Sequence, residues 1–168
     1  MIQDNNSNDV ALNKLVLRHL DIKTVTQTPV AQKALKDVLQ SIAGTDEYVE
    51  MVTRYSVKAE KSNLLDLAIN KHDERLGKNA AALLLQLGGS QLVWDIINGA
   101  DSIKQNSLLE SMAGVGSKIS VDMLQTIALS RKYSMALRKT SAGMIGRSWS
   151  GEERVLEILK AKIVPVDL

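Results

Sequence analysis

The sequence contains no cysteine and no phenylalanine, only two prolines and two histidines, and aromatic residues make up 3% of its 168 positions. Without cysteine there is no disulfide, no thiolate zinc site, no cysteine nucleophile and no C-x-x-C-H haem attachment. The redox compartment stays open. No run of about 18 apolar residues occurs, so no segment has the form of a membrane-spanning helix. Residues 1–9 are polar and lack the basic-then-apolar order of a signal peptide; residues 1–8 are expected to be a flexible N-terminus. With so few aromatics, an apolar fraction of 45% must build its core from Leu, Ile, Val, Ala and Met, a helix-forming mixture. The net charge of +2 is too small to imply nucleic acid or an anionic membrane as partner. The length suits one domain, residues 1–168.

What is present is helical periodicity. A first helix is expected from about Asp9 to Leu20, with Leu12, Leu15, Val16 and Leu20 on one face, followed by a connector over residues 21–27 in which Thr24, Val25 and Thr26 are β-branched. Thr28-Pro29 opens a second helix with the stripe Val30, Ala34, Leu35, Val38, Leu39 and Ile42, ended by Gly44. Thr45 caps a third. A short helix over residues 64–70 precedes a long one capped by Asp73 and stopped at Gly88-Gly89. Ser90, Asp101, Ser117 and Ser134 begin further helices, and Ser150-Gly151-Glu152-Glu153 has the form of a capping box. Amphipathic helices that stop on glycine thus recur in pairs, at a spacing of about 28 to 44 residues. The chain is expected to be all-α, a right-handed α-α superhelix of three to five HEAT- or armadillo-like helix pairs.

No catalytic constellation emerges. His19 and His72 have no ligand partner at i+3 or i+4, so no metal site is expected. The pairs Asp46-Glu47, Asp73-Glu74 and Glu152-Glu153 all fall in first turns of helices, where negative charge complements the dipole. Gly114-Val115-Gly116-Ser117-Lys118 follows a helix rather than a strand and lacks the phosphate-loop spacing. Each glycine reads as a helix stop. No enzyme activity and no cofactor are expected.

From Ser117 onward nine Lys or Arg stand against five Asp or Glu, a local balance of +4 that leaves −2 for the preceding part. Arg131, Lys132, Arg138, Lys139 and Arg147 could line one interaction surface with Trp149, which either wedges between repeats or forms an exposed anchor. Trp94, beside the Leu92, Val93, Ile96 and Ile97 stripe, is expected between helix layers.

Two segments carry a resemblance: Ala142-Gly143-Met144-Ile145-Gly146-Arg147, as a repeat-helix ending, and residues 153–168, which run into Ile163-Val164-Pro165. They resemble HEAT-like repeats of large planctomycete, Verrucomicrobia and Bacteroidetes proteins, which combine a putative membrane-bound dehydrogenase module, a helical-repeat segment and a C-terminal c-type cytochrome. There a helix of the form L-L-x-x-I-x-x-G-K-I-P leads into the next repeat; here Ala161 or Lys162 stands at the glycine. The resemblance implies a segment of a larger exported redox protein, with haem and dehydrogenase site elsewhere, and an extracytoplasmic location. The expected function is a non-enzymatic scaffold contacting other domains or a partner protein. The alternative is a nucleic-acid-binding helical-repeat protein of the DNA-glycosylase type.

Overall fold

The computed structural model describes residues 7–161, with side chains from residue 10. Among the described residues the protein is all-α, with eleven α-helices, one 3-10 turn and no strand. Packing divides the chain into two compact units, Met1–Lys58 and Ala59–Leu168, where the sequence reads as one repeat domain.

The first unit holds α1 (Ser7–His19), α2 (Ile22–Gln27), α3 (Pro29–Ser41) and α4 (Asp46–Tyr55). The expected flexible stretch 1–8 is helical at residues 7 and 8; the rest of it lies outside the described residues, as does the expected stop at Pro165. The connector expected over residues 21–27 is instead a helix. The Asp21 carboxylate accepts the Thr24 backbone N–H at 2.8 Å, Thr26 Oγ1 donates to the Ile22 carbonyl, and Val25 is fully buried. Capping and burial together outweigh the modest cost of β-branched residues in a helix. Two side chains of α4 reach the end of α1, Tyr55 Oη donating to the Leu17 carbonyl and Arg54 to the Leu20 carbonyl at 3.1 Å. Glu47, in the first turn of α4, accepts from Lys14 Nζ at 2.9 Å and from Arg18 on α1.

The second unit holds α5 (Lys61–Asn70), α6 (Arg75–Gln86), α7 (Ser90–Ile97), α8 (Ser102–Ala113), α9 (Lys118–Leu129), α10 (Met135–Ile145) and α11 (Trp149–Lys160). Its core centres on α8, which packs against α5, α6, α7, α9 and α10 and keeps Leu108, Leu109 and Met112 fully buried beside Leu64, Leu84 and Leu124. The chain bends by 116° between α6 and α7 at Gly88, whose φ of +77° favours glycine. Helices α7, α9 and α11 start 28 and 31 residues apart, and α6, α8 and α10 start 27 and 33 apart. The later starts are close to those expected; the upper bound of about 44 is the step from the helix at Pro29, which belongs to the first unit. Bonds between successive elements keep the same offset. Lys132 Nζ and Tyr133 Oη donate to Asn98, Ser150 Oγ to the Gly116 carbonyl, and Arg154 to Asp122, joining residues 32 to 35 apart. Helix α10 runs antiparallel to α9, with the buried Ser141 hydroxyl donating to the Leu124 carbonyl at 2.8 Å.

Several helix starts are as the sequence indicates. Thr45, Asp101, Ser117 and Ser134 each accept a backbone N–H of the first turn. Two others shift. Ser148, not Ser150, caps α11, and α6 starts after Glu74 rather than Asp73. Gly77 and Gly151 are not helix stops: both are buried in first turns. A Cβ would lie 2.0 Å from the Lys71 carbonyl oxygen at Gly77, and 1.7 Å from the Ile145 oxygen at Gly151. Each glycine lets one helix begin directly against the end of the preceding one.

Two predictions follow from this packing. Gly77→Ala and Gly151→Ala should each lose about 1–3 kcal/mol in urea unfolding, the ordinary cost of overpacking. Gly143→Ala, which meets nothing within 4 Å on α10, should be neutral or gain up to about 1 kcal/mol; equal effects at all three positions would contradict the close approach. In the first unit, the hydrogen bond from Lys14 and the charges of Lys14 and Arg18 hold the Glu47 carboxyl below the usual carboxylate range. A depressed folded-state pKa contributes stability that is present above the unfolded value and is lost as pH falls, here from about pH 5 downward. Glu47→Gln should therefore flatten the acid limb of the first unit's stability, read by thermal melts across that range.

Candidate functional site

The six residues singled out in the sequence do not form one surface. Arg131 and Lys132 lie in the turn between α9 and α10, where Lys132 Nζ donates to Asn98 Oδ1 at 2.8 Å and sits 5.4 Å from the Tyr133 ring centroid. Arg147 and Trp149 lie at the other end of α10, whose 11 residues span about 16 Å. Lys139 is exposed between them.

Arg138 is a correction. It is 3% exposed, and its Nε donates to the Ala128 carbonyl at 3.1 Å. That carbonyl belongs to the last turn of α9 and has no intrahelical donor, so a cation there satisfies both the orphan acceptor and the negative end of the helix dipole. Trp149 is 88% exposed, which removes the wedge reading and leaves the anchor.

The other candidates have structural partners. His72 Nδ1 lies 2.9 Å from Glu110 Oε2 on α8, and the Arg147 guanidinium lies 3.9 Å from the second Glu110 oxygen. One carboxylate thus faces both the α5–α6 turn and the α10–α11 turn. No group of three or more His, Asp or Glu that could hold a metal is found among the described residues. Glu74 pairs with Lys71 at 2.9 Å and precedes α6 rather than lying in its first turn, and of the exposed Glu152 and Glu153 only Glu152 is in the first turn of α11.

Two concave features lie on the face of α7, α9 and α11. Between α7 and α9 a groove of about 310 Å³ is lined by Ser90, Trp94, Ile119, Asp122, Met123 and Thr126. Trp94 is half-buried there rather than enclosed between layers, and Ile119 is 47% exposed. A second groove of about 200 Å³, between α9 and α11, is lined by Lys118, Val121, Ser150, Glu153, Arg154 and Glu157. Asp122 forms the ridge between them. It accepts from Lys118 Nζ at 2.9 Å and Arg154 Nη2 at 2.8 Å, and Arg154 Nε lies 3.5 Å from Glu157. Periodicity alone could not separate these from core positions, since Trp94 and Ile119 continue apolar stripes that are elsewhere buried.

No family model matches the chain, and neither a curated protein nor a solved structure matches it.

The contrast between Arg138 and its neighbours is measurable. Arg138→Ala should cost about 2 kcal/mol or more, through a lost charged hydrogen bond and lost packing of the stem. Arg131→Ala and Lys139→Ala, at exposed sites, should stay within about 0.5 kcal/mol. Equal effects in chemical denaturation would argue against the cap at Ala128.

Proposed function

We propose that the chain is a non-catalytic helical-repeat module that binds protein segments along the face of α7, α9 and α11. The observation that carries this reading is the recurrence of bonds and grooves along these helices: α9 packs on α11, and Asn98 at the end of α7 accepts bonds from the turn after α9. Their contacts recur at 32 to 35 residues, and a groove opens at each junction. This recurrence supports an α-solenoid reading, and solenoids bind partners along their extended faces without chemistry of their own. Trp94 and Ile119 supply apolar contact in one groove, and Lys118, Glu153, Arg154 and Glu157 supply polar selectivity in the next. Acidic residues on this face and the scatter of the basic ones disfavour the nucleic-acid alternative. If the likeness to dehydrogenase–cytochrome proteins holds, the partner is a neighbouring domain of an exported redox protein.

Peptides selected from a displayed random library against the full chain provide the test. Their binding should weaken at least tenfold in Ile119→Lys, an exposed position whose substitution leaves the thermal melt in place. Selected peptides indifferent to Ile119→Lys and to Trp94→Ala, or salt-sensitive binding of duplex DNA in their stead, would overturn the proposal.

A further inference from the structure

Of the nine asparagines in the sequence, only Asn98 is followed by glycine. That dipeptide is open to a reaction of the chain with itself. The Gly99 amide nitrogen, deprotonated by hydroxide, attacks Asn98 Cγ, and the new N–C bond closes a five-membered succinimide. The Cγ–Nδ2 bond breaks, and the departing nitrogen takes a proton from water and leaves as ammonia. A second water opens the ring at either carbonyl, so aspartate or isoaspartate remains at position 98. Glycine favours the attack because it has no Cβ in the way and its backbone turns freely.

The folded chain exposes this dipeptide and at the same time holds it away from the reactive geometry. Asn98, Gly99 and Ala100 are all exposed between α7 and α8. At Asn98 ψ is −4°, which points the Gly99 nitrogen along the helix rather than toward the Asn98 side chain. Three ties keep it there. The Gly99 N–H donates to the Ile96 carbonyl at 3.1 Å. Gln105 Nε2 on α8 donates to the carbonyls on either side, that of Ile97 at 3.0 Å and that of Gly99 at 2.8 Å. From the turn after α9, Lys132 Nζ at 2.8 Å and Tyr133 Oη at 3.3 Å donate to Asn98 Oδ1. Burial pushes the Tyr133 phenol up, so its hydroxyl remains a donor. Ring closure requires rotation about ψ and a turn of the carboxamide, and both motions break these bonds.

We infer that Asn98-Gly99 is a deamidation site gated by the junction between the end of α7 and the turn after α9, so that the fraction of chains converted records how long that junction has been open. The reaction proceeds from the locally opened chain, and its rate scales with the population of that state. Its products alter the junction itself. Aspartate at position 98 sets a carboxylate against the Lys132 ammonium, a charged hydrogen bond where a neutral acceptor stood. Isoaspartate routes the main chain through the side-chain carbon and lengthens it by one atom, so Gln105 no longer spans the two carbonyls. Deamidation does not involve the grooves beside α9 and stands or falls independently of the binding proposed there.

Peptide mapping by mass spectrometry of the full chain, held at mildly alkaline pH and sampled over days, is the test. Conversion should concentrate in the peptide that holds Asn98, with aspartyl and isoaspartyl products and release of ammonia. Lys132→Met combined with Tyr133→Phe, two substitutions outside the core checked by circular dichroism, should speed this conversion at least fivefold. Conversion at Asn106, exposed on α8, should not change. In urea, where the junction is open in both chains, wild type and variant should convert at one rate. An Asn98 amide that persists in the folded variant, a variant no faster than wild type, an acceleration shared by Asn106, or unequal rates in urea would each overturn the inference.

Discussion

The ends of the helices are the constraint on which the packing depends. The described helices run from 6 to 13 residues, so the unpaired N–H and C=O groups of their termini are a large share of the backbone. At the amino ends the solution is local: Asp21, Thr45, Asp101, Ser117, Ser134 and Ser148 accept first-turn N–H groups of their own helices. At the carboxyl ends it is local for α4 and α6, where Val57 and Gly89 N–H groups bond back to the Val52 and Leu84 carbonyls, and tertiary at several others. Tyr55 and Arg54 bond carbonyls at the end of α1, Gln105 of α8 donates to the Ile97 carbonyl of α7 at 3.0 Å, and Arg138 of α10 bonds the last turn of α9. A side chain that completes one helix therefore fixes where another lies. With few aromatics to set helix orientation by shape, these directional bonds add specificity that a Leu, Ile and Ala core supplies less sharply.

The same distinction explains how much of the fold could be read from the sequence. Amino-terminal caps lie within three residues of the groups they serve, and those at Thr45, Asp101, Ser117 and Ser134 were readable. The all-helical class was readable from periodicity. The helix of residues 22–27 was not, because its stability comes from the Asp21 cap and the burial of Val25, and burial is a tertiary property. The Ser148 cap was obscured by Ser150, which offers the same hydroxyl two residues on and is instead committed to the Gly116 carbonyl.

Candidate surface residues were the least legible. Arg138 reads as one of several cations in a basic stretch, and only its position opposite the end of α9 makes it interior. Gly77 and Gly151 read, with the other glycines, as helix stops, yet the nearby carbonyls of Lys71 and Ile145 make each a point of close contact. In both cases the deciding neighbour sits on a different helix. Residue type gave the chemistry that was available, and packing decided whether it faced solvent.

Topology also accounts for which apolar stripes remain open. Helix α8 is surrounded by α5, α6, α7, α9 and α10, and its apolar residues Leu108, Leu109 and Met112 are all consumed in the core. Helix α11 packs against α9 and α10, on the side that carries Ile158, and its far side keeps Leu156 and Leu159 in solvent. Neither helix is exceptional in composition. The difference is the number of neighbours among the described residues, which leaves Leu156 and Leu159 exposed.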